Sequence, residues 1–332
     1  MSDARPILVV AEARDGAPGR LTGELLALGT QLKTAIGAPV VAASFADRDP
    51  GIAGELIAAG ADEVQSVEHP ALAHYQGEAW VSAAAQLCRD VKPALVLIGH
   101  NALGGDLAPR LAFRLDGAVA TGCIGIAWHD GRYAFTRPCY GGNLHETLAF
   151  ESAVTVATVR AGSVRAAPRD ESRGGTVGRF TPVLEDEPQR VRVVERRSEA
   201  TQAIRLEDAE VIVAGGRGLN GPEGFRALEA LAAELGGAVG ASRVPCDLGW
   251  CPRGWQIGLT GRTVQPDLYI AVGISGAGHH LAGCGNAKTI VAVNTDPDAA
   301  IYREARYGVV SDYQQFVPAL LDEIRKVKAQ HR

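Results

Sequence analysis

Short apolar runs alternate with helix-period segments along the first 160 residues. Residues 7–13 (ILVVAEA) and 94–99 (ALVLIG) have the length and composition of buried strands, whereas residues 21–36 repeat apolar side chains at helical spacing. This alternation predicts a mostly parallel sheet with helices on its faces. Further strands are predicted at PVVAASF and 152–160, and further helices at IAGELIAAGA and 107–115.

The pattern changes after residue 120, where CIGIAWHDGRYAFTRP predicts a β-hairpin that turns at Asp130 and Gly131. Residues 161–188 are rich in Gly, Pro, Arg and acidic side chains, so we expect an extended connection between two domains. RVRVVE (190–195) alternates like a strand with one exposed face. The predicted domains are therefore residues 1–188 and 189–332.

The alternation starts again in the second half. AEVIVAGGRGL (209–219) is predicted as a strand entering a glycine-rich turn, residues 223–235 as an amphipathic helix and residues 313–330 as a final helix. Between AVGAS and LYIAVG lies a long segment without any period, and loops of that length are usually functional. The fold class is thus predicted as α/β, with two doubly wound domains and mostly parallel sheets, the second being Rossmann-like. The remaining strands are predicted at AVGAS, 268–273, 288–294 and 308–312.

Composition narrows the class of protein. The 332 residues suggest about two domains, and a net charge of -5 argues against a dedicated nucleic-acid binder. No apolar run reaches the roughly 18–20 residues of a membrane span, and MSDARPILVVAEA leaves no room for a targeting peptide before the first strand. Six scattered cysteines favour free thiols in a reducing compartment. We therefore expect a cytoplasmic protein without nucleic-acid partners or membrane insertion.

Polar and glycine residues follow several predicted strands, at the edge where open α/β sheets bind ligands. GGRG (215–218) follows one strand, Ser242 and Arg243 another, SGAGHH (275–280) a third and Asn294 a fourth. Glycines let the backbone approach an anion, and free N–H groups at a helix start point toward negative charge. GGRG is equally compatible with an ordinary strand-to-helix turn, and Asn294 and Asp312 with turns or helix caps.

Several other chemistries fit less well. Neighbouring residues on a helix point about 100° apart, so His279 and His280 cannot easily share one metal ion. Ser275 lacks the second glycine of a nucleophile elbow, because position 277 is Ala. Neither half contains a G-x-G-x-x-G turn with an acidic residue about 20 positions further on, which argues against a nicotinamide-dependent dehydrogenase. Two surface histidines at a helix start remain an alternative.

The order of four blocks in the second half resembles the alpha subunit of the electron transfer flavoproteins. The blocks are GGRGL, VGASR, GLTGRTVQPDLYIAVGISGAGHHLAG and VAVNTDPDAAIYREARYGVVSD. In the first half, LVVAEA, LVLIGHNALGGDLAPRLA and FTRPCYGGN are similar to that family's N-terminal domain. The resemblance covers nearly the whole chain. It implies one FAD in the C-terminal domain and a heterodimer with a beta subunit, which is expected to hold AMP.

The resemblance also implies individual roles. Arg217 would lie in the first glycine turn, Arg243 beside the isoalloxazine ring, and the Thr260 hydroxyl at flavin N5. Residues 275–280 would lie under the pyrophosphate, with His280 at the pyrimidine edge of the flavin. No catalytic residue and no metal ligand is implied. The implied FAD-binding residues are Arg217, Ser242, Arg243, Ile257, Gly258, Leu259, Thr260, Ser275, Gly276, Ala277, Gly278, His279, His280, Asn294, Asp312 and Tyr313.

Some positions depart from the family's pattern. Leu259 and His279 stand where the family usually has glutamine. Trp250, Cys246 and Cys251 are also unusual in the long loop, and the two thiols are interpreted as buried loop cysteines, with a redox-active pair as the alternative. We expect these departures to shift the reduction potential or the choice of partner rather than to abolish FAD binding.

The function implied by the resemblance is that of an electron carrier rather than an enzyme. It would take electrons from soluble flavoprotein dehydrogenases, as in fatty acid β-oxidation, and pass them singly to a membrane-associated quinone oxidoreductase. Reduced flavin carries negative charge near N1 and O2, which a guanidinium and an imidazole would stabilise. One alternative is an electron-bifurcating member that uses NADH and a second FAD in the beta subunit. Another is a nucleotide-binding protein without redox activity.

Overall fold

A computed structural model of the chain describes residues 5–14, 16–140, 144–184, 190–191, 193–195 and 204–330. The chain divides into two compact units, residues 1–197 and 198–332, called unit 1 and unit 2 below. The boundary predicted between residues 188 and 189 lies outside the described residues.

Unit 1 combines a parallel sheet with surrounding helices and a small antiparallel sheet. Its strands are β1 Ile7–Ala11, β2 Ala13–Arg14, β3 Ala17–Pro18, β4 Val40–Ala46, β5 Glu63–Glu68, β6 Leu95–Gly99, β7 Ala118–Cys123, β8 Gly125–His129, β9 Arg132–Cys139, β10 Leu144–Leu148, β11 Thr155–Val159 and β12 Thr176–Phe180. Its helices are α1 Arg20–Ile36, α2 Ala53–Ala58, α3 Gly77–Val91 and α4 Ala102–Arg114, with a short 3-10 helix at Pro70–Leu72.

Seven strands form the main sheet of unit 1 in the order β12-β5-β4-β1-β6-β11-β7, and every pairing is parallel. Residues of α3 and α4 pack on one face, and residues of α1 and α2 on the other. The central strands are buried on both faces, which explains their continuous apolar runs. The predicted hairpin is confirmed: β8 and β9 pair antiparallel, and the turn residues Asp130 and Gly131 both have positive φ angles.

The segment that leaves this sheet differs from the prediction. Residues 161–188 were expected to be an extended connection, but β12 lies within them and pairs with β5 as an edge strand, and Leu184 is buried in the core of unit 1. The strand expected at 190–195 is wrong, because its described residues form no strand. Sequence patterns also missed β5 and α3, whose apolar residues merge with their Ala-rich and polar surroundings.

Unit 2 contains one parallel sheet between two helical layers. Its strands are β13 Val211–Gly215, β14 Ala238–Ala241, β15 Leu268–Val272, β16 Ile290–Asn294 and β17 Tyr307–Val310. Its helices are α5 Glu223–Leu235, α6 Arg243–Asp247, α7 Gly278–Cys284 and α8 Tyr313–Gln330, with 3-10 turns at Arg217–Leu219, Arg253–Trp255 and Ala300–Arg303.

The sheet of unit 2 has the order β14-β13-β15-β16-β17, and all of its pairings are parallel. Residues of α5 and α8 pack on one face, and residues of α7 and the loop around Ile257 on the other. The chain moves outward in one direction from β13 to β14 and in the opposite direction from β15 onward. The carboxyl ends of β13 and β15 therefore border the switch point at which doubly wound sheets bind their ligands.

Within the described ranges, no helix combines the length and hydrophobicity needed to traverse a bilayer.

Candidate functional site

Two glycine turns meet at the switch point of unit 2. The Gly216 N–H donates to the Val272 carbonyl at 2.9 Å, and the Gly218 N–H donates to the Gly273 carbonyl at 3.0 Å. A Cβ atom on Gly216 would collide with the Gly273 carbonyl. These positions therefore require glycine, because two backbone segments pack directly on each other at the switch point, where doubly wound sheets have their binding crevice.

The loop after β15 is equally constrained. Gly276 has a φ of +84°, and a Cβ atom there would overlap the backbone nitrogen of Ile301, whose N–H donates to the Ser275 carbonyl at 3.0 Å. Ser275, Ala277 and Gly278 are exposed. At the carboxyl edge of the sheet, this loop thus exposes only glycine backbone and the small side chains of Ser275 and Ala277.

Helix α7 begins inside this loop. The N–H groups of His280 and Leu281 donate to the Ala277 carbonyl at 2.8 and 3.1 Å. The N–H groups that precede them belong to the first turn of the helix, where backbone N–H groups have no carbonyl of the helix to bond to. Such amides, next to exposed glycine backbone, have the donor chemistry that binds a pyrophosphate.

Two arginines stand beside the glycine turns. Arg217 opens the 3-10 turn after β13 and is exposed, and no acidic side chain pairs with it in the described part of the chain. Arg243 opens α6 after β14, where the Ser242 N–H donates to the Gly215 carbonyl at 2.9 Å. The Arg243 side chain is 69% exposed and pairs with Asp247 at 3.0 Å. Both cations remain accessible to an anionic ligand.

Residues 257–260 are held between β14 and α7. The Ile257 N–H donates to the Ala241 carbonyl at 2.9 Å, and the Leu259 N–H to the His279 carbonyl at 2.7 Å. Leu259 and Thr260 are exposed, and the Thr260 hydroxyl accepts from the Gln256 amide at 3.0 Å. The structure thus brings this loop to the start of α7, although Leu259 and His279 are 20 positions apart in the sequence.

The two adjacent histidines have different environments. His279 is exposed, whereas His280 is only 7% exposed. The Ile257 carbonyl lies 3.1 Å from His280 Nδ1, so Nδ1 carries the proton, and Nε2 accepts from the Tyr269 hydroxyl at 2.9 Å. Burial lowers the pKa of His280 to about 4, so the ring is neutral at neutral pH. A direct hydrogen bond to a ligand requires that one of these two partners be exchanged.

Asn294, Asp312 and Tyr313 all have structural partners. Asn294 donates to the Ile274 carbonyl at 3.0 Å and accepts from the Asp296 N–H at 3.1 Å. Asp312 caps α8 by accepting from the Gln314 N–H at 2.8 Å. The alternative roles in turns and caps are confirmed, and the implied roles of these residues in FAD binding stay predictions. The Tyr313 hydroxyl donates to the Leu219 carbonyl at 3.2 Å, which ties α8 to the first glycine turn.

Sequence patterns missed the contacts that shape this site. Helix α6 was not predicted, because five residues are too few to show a helical period. Sequence analysis interpreted Cys246 and Cys251 as buried loop thiols, with a redox-active pair as the alternative; both are buried, and their Sγ atoms lie 3.5 Å apart. Tyr269 was read only as part of an apolar strand, yet its hydroxyl holds His280.

Each of the two units contains a region that matches a family model of known proteins. The family model described as electron transfer flavoprotein domain matches residues 7–184, and the one described as electron transfer flavoprotein FAD-binding domain matches residues 205–285. An electron transfer flavoprotein subunit alpha from Thermoanaerobacterium thermosaccharolyticum is 40% identical, over 99% of this chain and 100% of its own length. That of Bacillus subtilis is 39% identical over 97% and 98% of the two chains, and a protein named FixB from Rhizobium meliloti is 37% identical over 98% and 94%.

The residues at the switch point fit FAD, the cofactor of the matched domain. A dinucleotide needs close backbone approach at its pyrophosphate and cations near its negative charges, and the loop 275–278 and the two exposed arginines have these properties. The two family models, the full-length relatives and this crevice agree, and the chain belongs to the electron transfer flavoprotein alpha-subunit family.

Proposed function

We propose that this chain is the FAD-binding subunit of a heterodimeric electron carrier, which takes electrons from flavoprotein dehydrogenases and delivers them to a quinone oxidoreductase. The observation that carries the proposal is the glycine-lined crevice between β13 and β15, because it lies inside the unit that matches the FAD-binding domain. Having no predicted catalytic residue, the chain would act as a carrier and not as an enzyme with its own substrate. FAD, when bound, supplies the acceptance and release of electrons.

The backbone of residues 275–279 would bind the pyrophosphate. Gly276 keeps the loop against Ile301, and the first-turn N–H groups of α7 would donate to phosphate oxygens. Arg217, which no described acidic side chain neutralises, would add a cation at the first turn. Ala277, Gly278 and His279 would contact FAD through this same backbone surface.

Arg243 would stand beside the isoalloxazine ring. Its guanidinium is exposed and anchored at the start of α6, so it can stabilise negative charge that develops on the ring during reduction. Thr260 and Leu259 lie exposed on the loop that α7 holds in place, where the Thr260 hydroxyl would meet flavin N5. His280 would shape this side of the crevice as a neutral ring.

The partner proposed for unit 1 is a beta subunit that holds AMP. In unit 1, the large apolar side chains of Trp128 and Leu144 are exposed on the three-stranded sheet, and that of Tyr140 is exposed just after β9. Exposed apolar patches of this kind are typical of protein interfaces. This sheet supports the assembly expected from the family.

The test is to co-express the chain with its beta subunit, isolate the complex gently, and count bound nucleotides after release. We expect a yellow heterodimer with one FAD and one AMP, and absorbance that bleaches on reduction. Two FAD molecules per heterodimer and reduction by NADH would instead identify an electron-bifurcating carrier.

The source of the electrons needs a separate assay. Candidate acyl-CoA dehydrogenases, as used in fatty acid β-oxidation, should reduce the bound FAD rapidly, and a quinone oxidoreductase should reoxidise it. A complex that is colourless and does not take up added FAD would contradict the proposal.

A further inference from the structure

The end of helix α6 holds two cysteines against each other. Gly249 has a φ of +73°, and its N–H donates to the Cys246 carbonyl at 3.1 Å, while the Trp250 N–H donates to the Pro245 carbonyl at 2.9 Å. This pair of bonds with a left-handed glycine is the Schellman ending of a helix. The motif folds the backbone so that Cys251 returns to Cys246, and their Sγ atoms lie 3.5 Å apart.

The two thiols are unequal. The hydrogen bond between the two thiols lowers the pKa of Cys246 and raises that of Cys251. Arg253 also favours the Cys246 thiolate, against the opposing charge of Asp247. Elsewhere, burial raises the pKa of Cys88 and Cys284 to about 12. Within this set, Cys246 has the greatest thiolate character and is the nucleophile of the pair.

The pair lies just beneath the surface. Both cysteines are buried, but three of the four residues between them, Asp247, Leu248 and Gly249, are exposed, and Trp250 is half-buried. This exposed turn is the path by which a small oxidant would reach the pair. Zinc is a poorer occupant, since a structural site needs four ligands and the described residues place no third ligand beside the pair.

We propose that Cys246 and Cys251 form a reversible intramolecular disulfide, a redox modification site at the base of helix α6, with a peroxide as the oxidant. The Cys246 thiolate attacks one peroxide oxygen, the O–O bond breaks, and the sulfur becomes a sulfenic acid, while the other oxygen takes up the proton that Cys246 lost on ionisation and leaves as water or alcohol. Cys251 then attacks that sulfur, the S–OH bond breaks, and water leaves after taking up the Cys251 proton. The two thiols lose two electrons, and the peroxide is reduced by two electrons. The Sγ atoms need to approach to about 2 Å, a small movement from their present separation.

The test uses the purified full-length complex, treated with hydrogen peroxide, alkylated under denaturing conditions, digested and analysed by mass spectrometry. We expect one peptide that contains both cysteines, lighter by two hydrogen atoms and restored by dithiothreitol. Loss of these thiols should be at least about tenfold faster than that of Cys88. This measurement detects the oxidation of thiols and not electron transfer, so its result distinguishes failure of this proposal from failure of the proposed FAD function.

Variants separate the two roles. In Cys251→Ser, Cys246 should accumulate as a sulfenic acid that dimedone captures, whereas in Cys246→Ser the remaining Cys251 should stay reduced. Cys88→Ser is the matched control and should form the disulfide as the wild type does. Recovery of reduced Cys246 and Cys251 under conditions that oxidise the half-buried Cys139 would overturn the proposal. So would a disulfide formed only between two chains. Both outcomes are read on the wild-type protein and do not depend on the folding of any variant.

Discussion

Both units contain a parallel sheet with helices on its faces, but the loops at the carboxyl ends of the strands differ between the two sheets. In unit 1, Glu12 follows β1 and accepts from the Asn101 side chain, which follows β6, at 2.6 Å. Nearby, His100 shares a 2.8 Å hydrogen bond with the buried Thr158, whose hydroxyl also accepts from the Gly122 N–H at 2.8 Å. Side chains of unit 1 thus satisfy one another across its switch point.

In unit 2, the corresponding edge is left open. Gly216 and Gly273 bring two backbone segments into contact, and Ser275, Arg217 and Arg243 remain exposed. The comparison teaches that a parallel sheet provides a switch point but does not by itself make a binding site. The units differ in whether the loops at this edge end in side chains that bond to one another or in backbone amides and exposed cations.

The largest expected effect comes from adding a single methyl group to the tightly packed loop after β15. Gly276→Ala places a Cβ on the Ile301 backbone at a positive φ, so we expect a loss of about 2–5 kcal/mol of stability in unit 2 and loss of FAD. Thermal denaturation and flavin content measure both effects.

Gly278→Ala provides the matched control, because a Cβ there meets open space. We expect stability close to that of the wild type, with FAD affinity lowered only by interference with the pyrophosphate. If the two alanine variants were equally stable, the close packing at Gly276 would not be what shapes this loop.

The next effect concerns the buried ring beneath the open edge. The pKa of His280 is about 4 in the folded protein against an ordinary value of 6.5, so between these values the unfolded state binds more protons. His280 should therefore make unit 2 less stable as the pH falls below 6.5, by about 3 kcal/mol once the pH is below 4. Unfolding by urea at several pH values measures the slope, and an NMR titration of the ring gives its pKa. A titration near pH 6.5 would contradict the buried, neutral imidazole.

Removing a hydrogen bond at the carboxyl edge of unit 1 should lower stability without changing FAD affinity. Thr158→Val leaves the Gly122 N–H without its acceptor and should cost about 1–3 kcal/mol of stability in unit 1, with FAD affinity unchanged. Ser275→Ala is its counterpart in unit 2 and should change stability by less than about 0.5 kcal/mol, because the side chain is exposed. Denaturation and flavin titration of both variants compare the edges directly. Loss of flavin in Thr158→Val would show that the closed edge also serves the cofactor.

The smallest expected effect is electrostatic. Arg243→Ala should weaken FAD binding by about 1–2 kcal/mol and lower the reduction potential of the bound flavin, while the stability of the apoprotein changes little because the Asp247 pair is exposed. Arg226→Ala is the control, since Arg226 has a similar exposed pair with Glu223 in α5. Equal potentials for the two variants, measured by redox titration, would remove Arg243 from the site.

Sequence patterns were sufficient to predict the bounds of long helices that bury one face. Helix α5 was predicted with its observed bounds, and its Gly236 ends it in the left-handed conformation. Helix α8 was predicted with the same accuracy, since its apolar residues keep a helical period throughout.

The patterns failed where structure depends on distant partners. The edge strand β12 is largely exposed and is defined by its pairing with β5, so its own residues carry little signal. At the site, glycine turns and exposed cations were recognisable, but the burial of His280 depends on Tyr269 and on the Ile257 carbonyl, which no local pattern joins. The family resemblance supplied the cofactor that spacing alone left open.

The hydrogen bond from Tyr313 to Leu219 has a consequence for biosynthesis. Leu219 ends the first glycine turn of unit 2, yet its partner is translated 94 residues later. A ribosome-bound chain can complete unit 1 before then, because domains fold as units from the N-terminus. The crevice, by contrast, gains its last support only after helix α8 has emerged, so cofactor uptake is an event of the finished polypeptide.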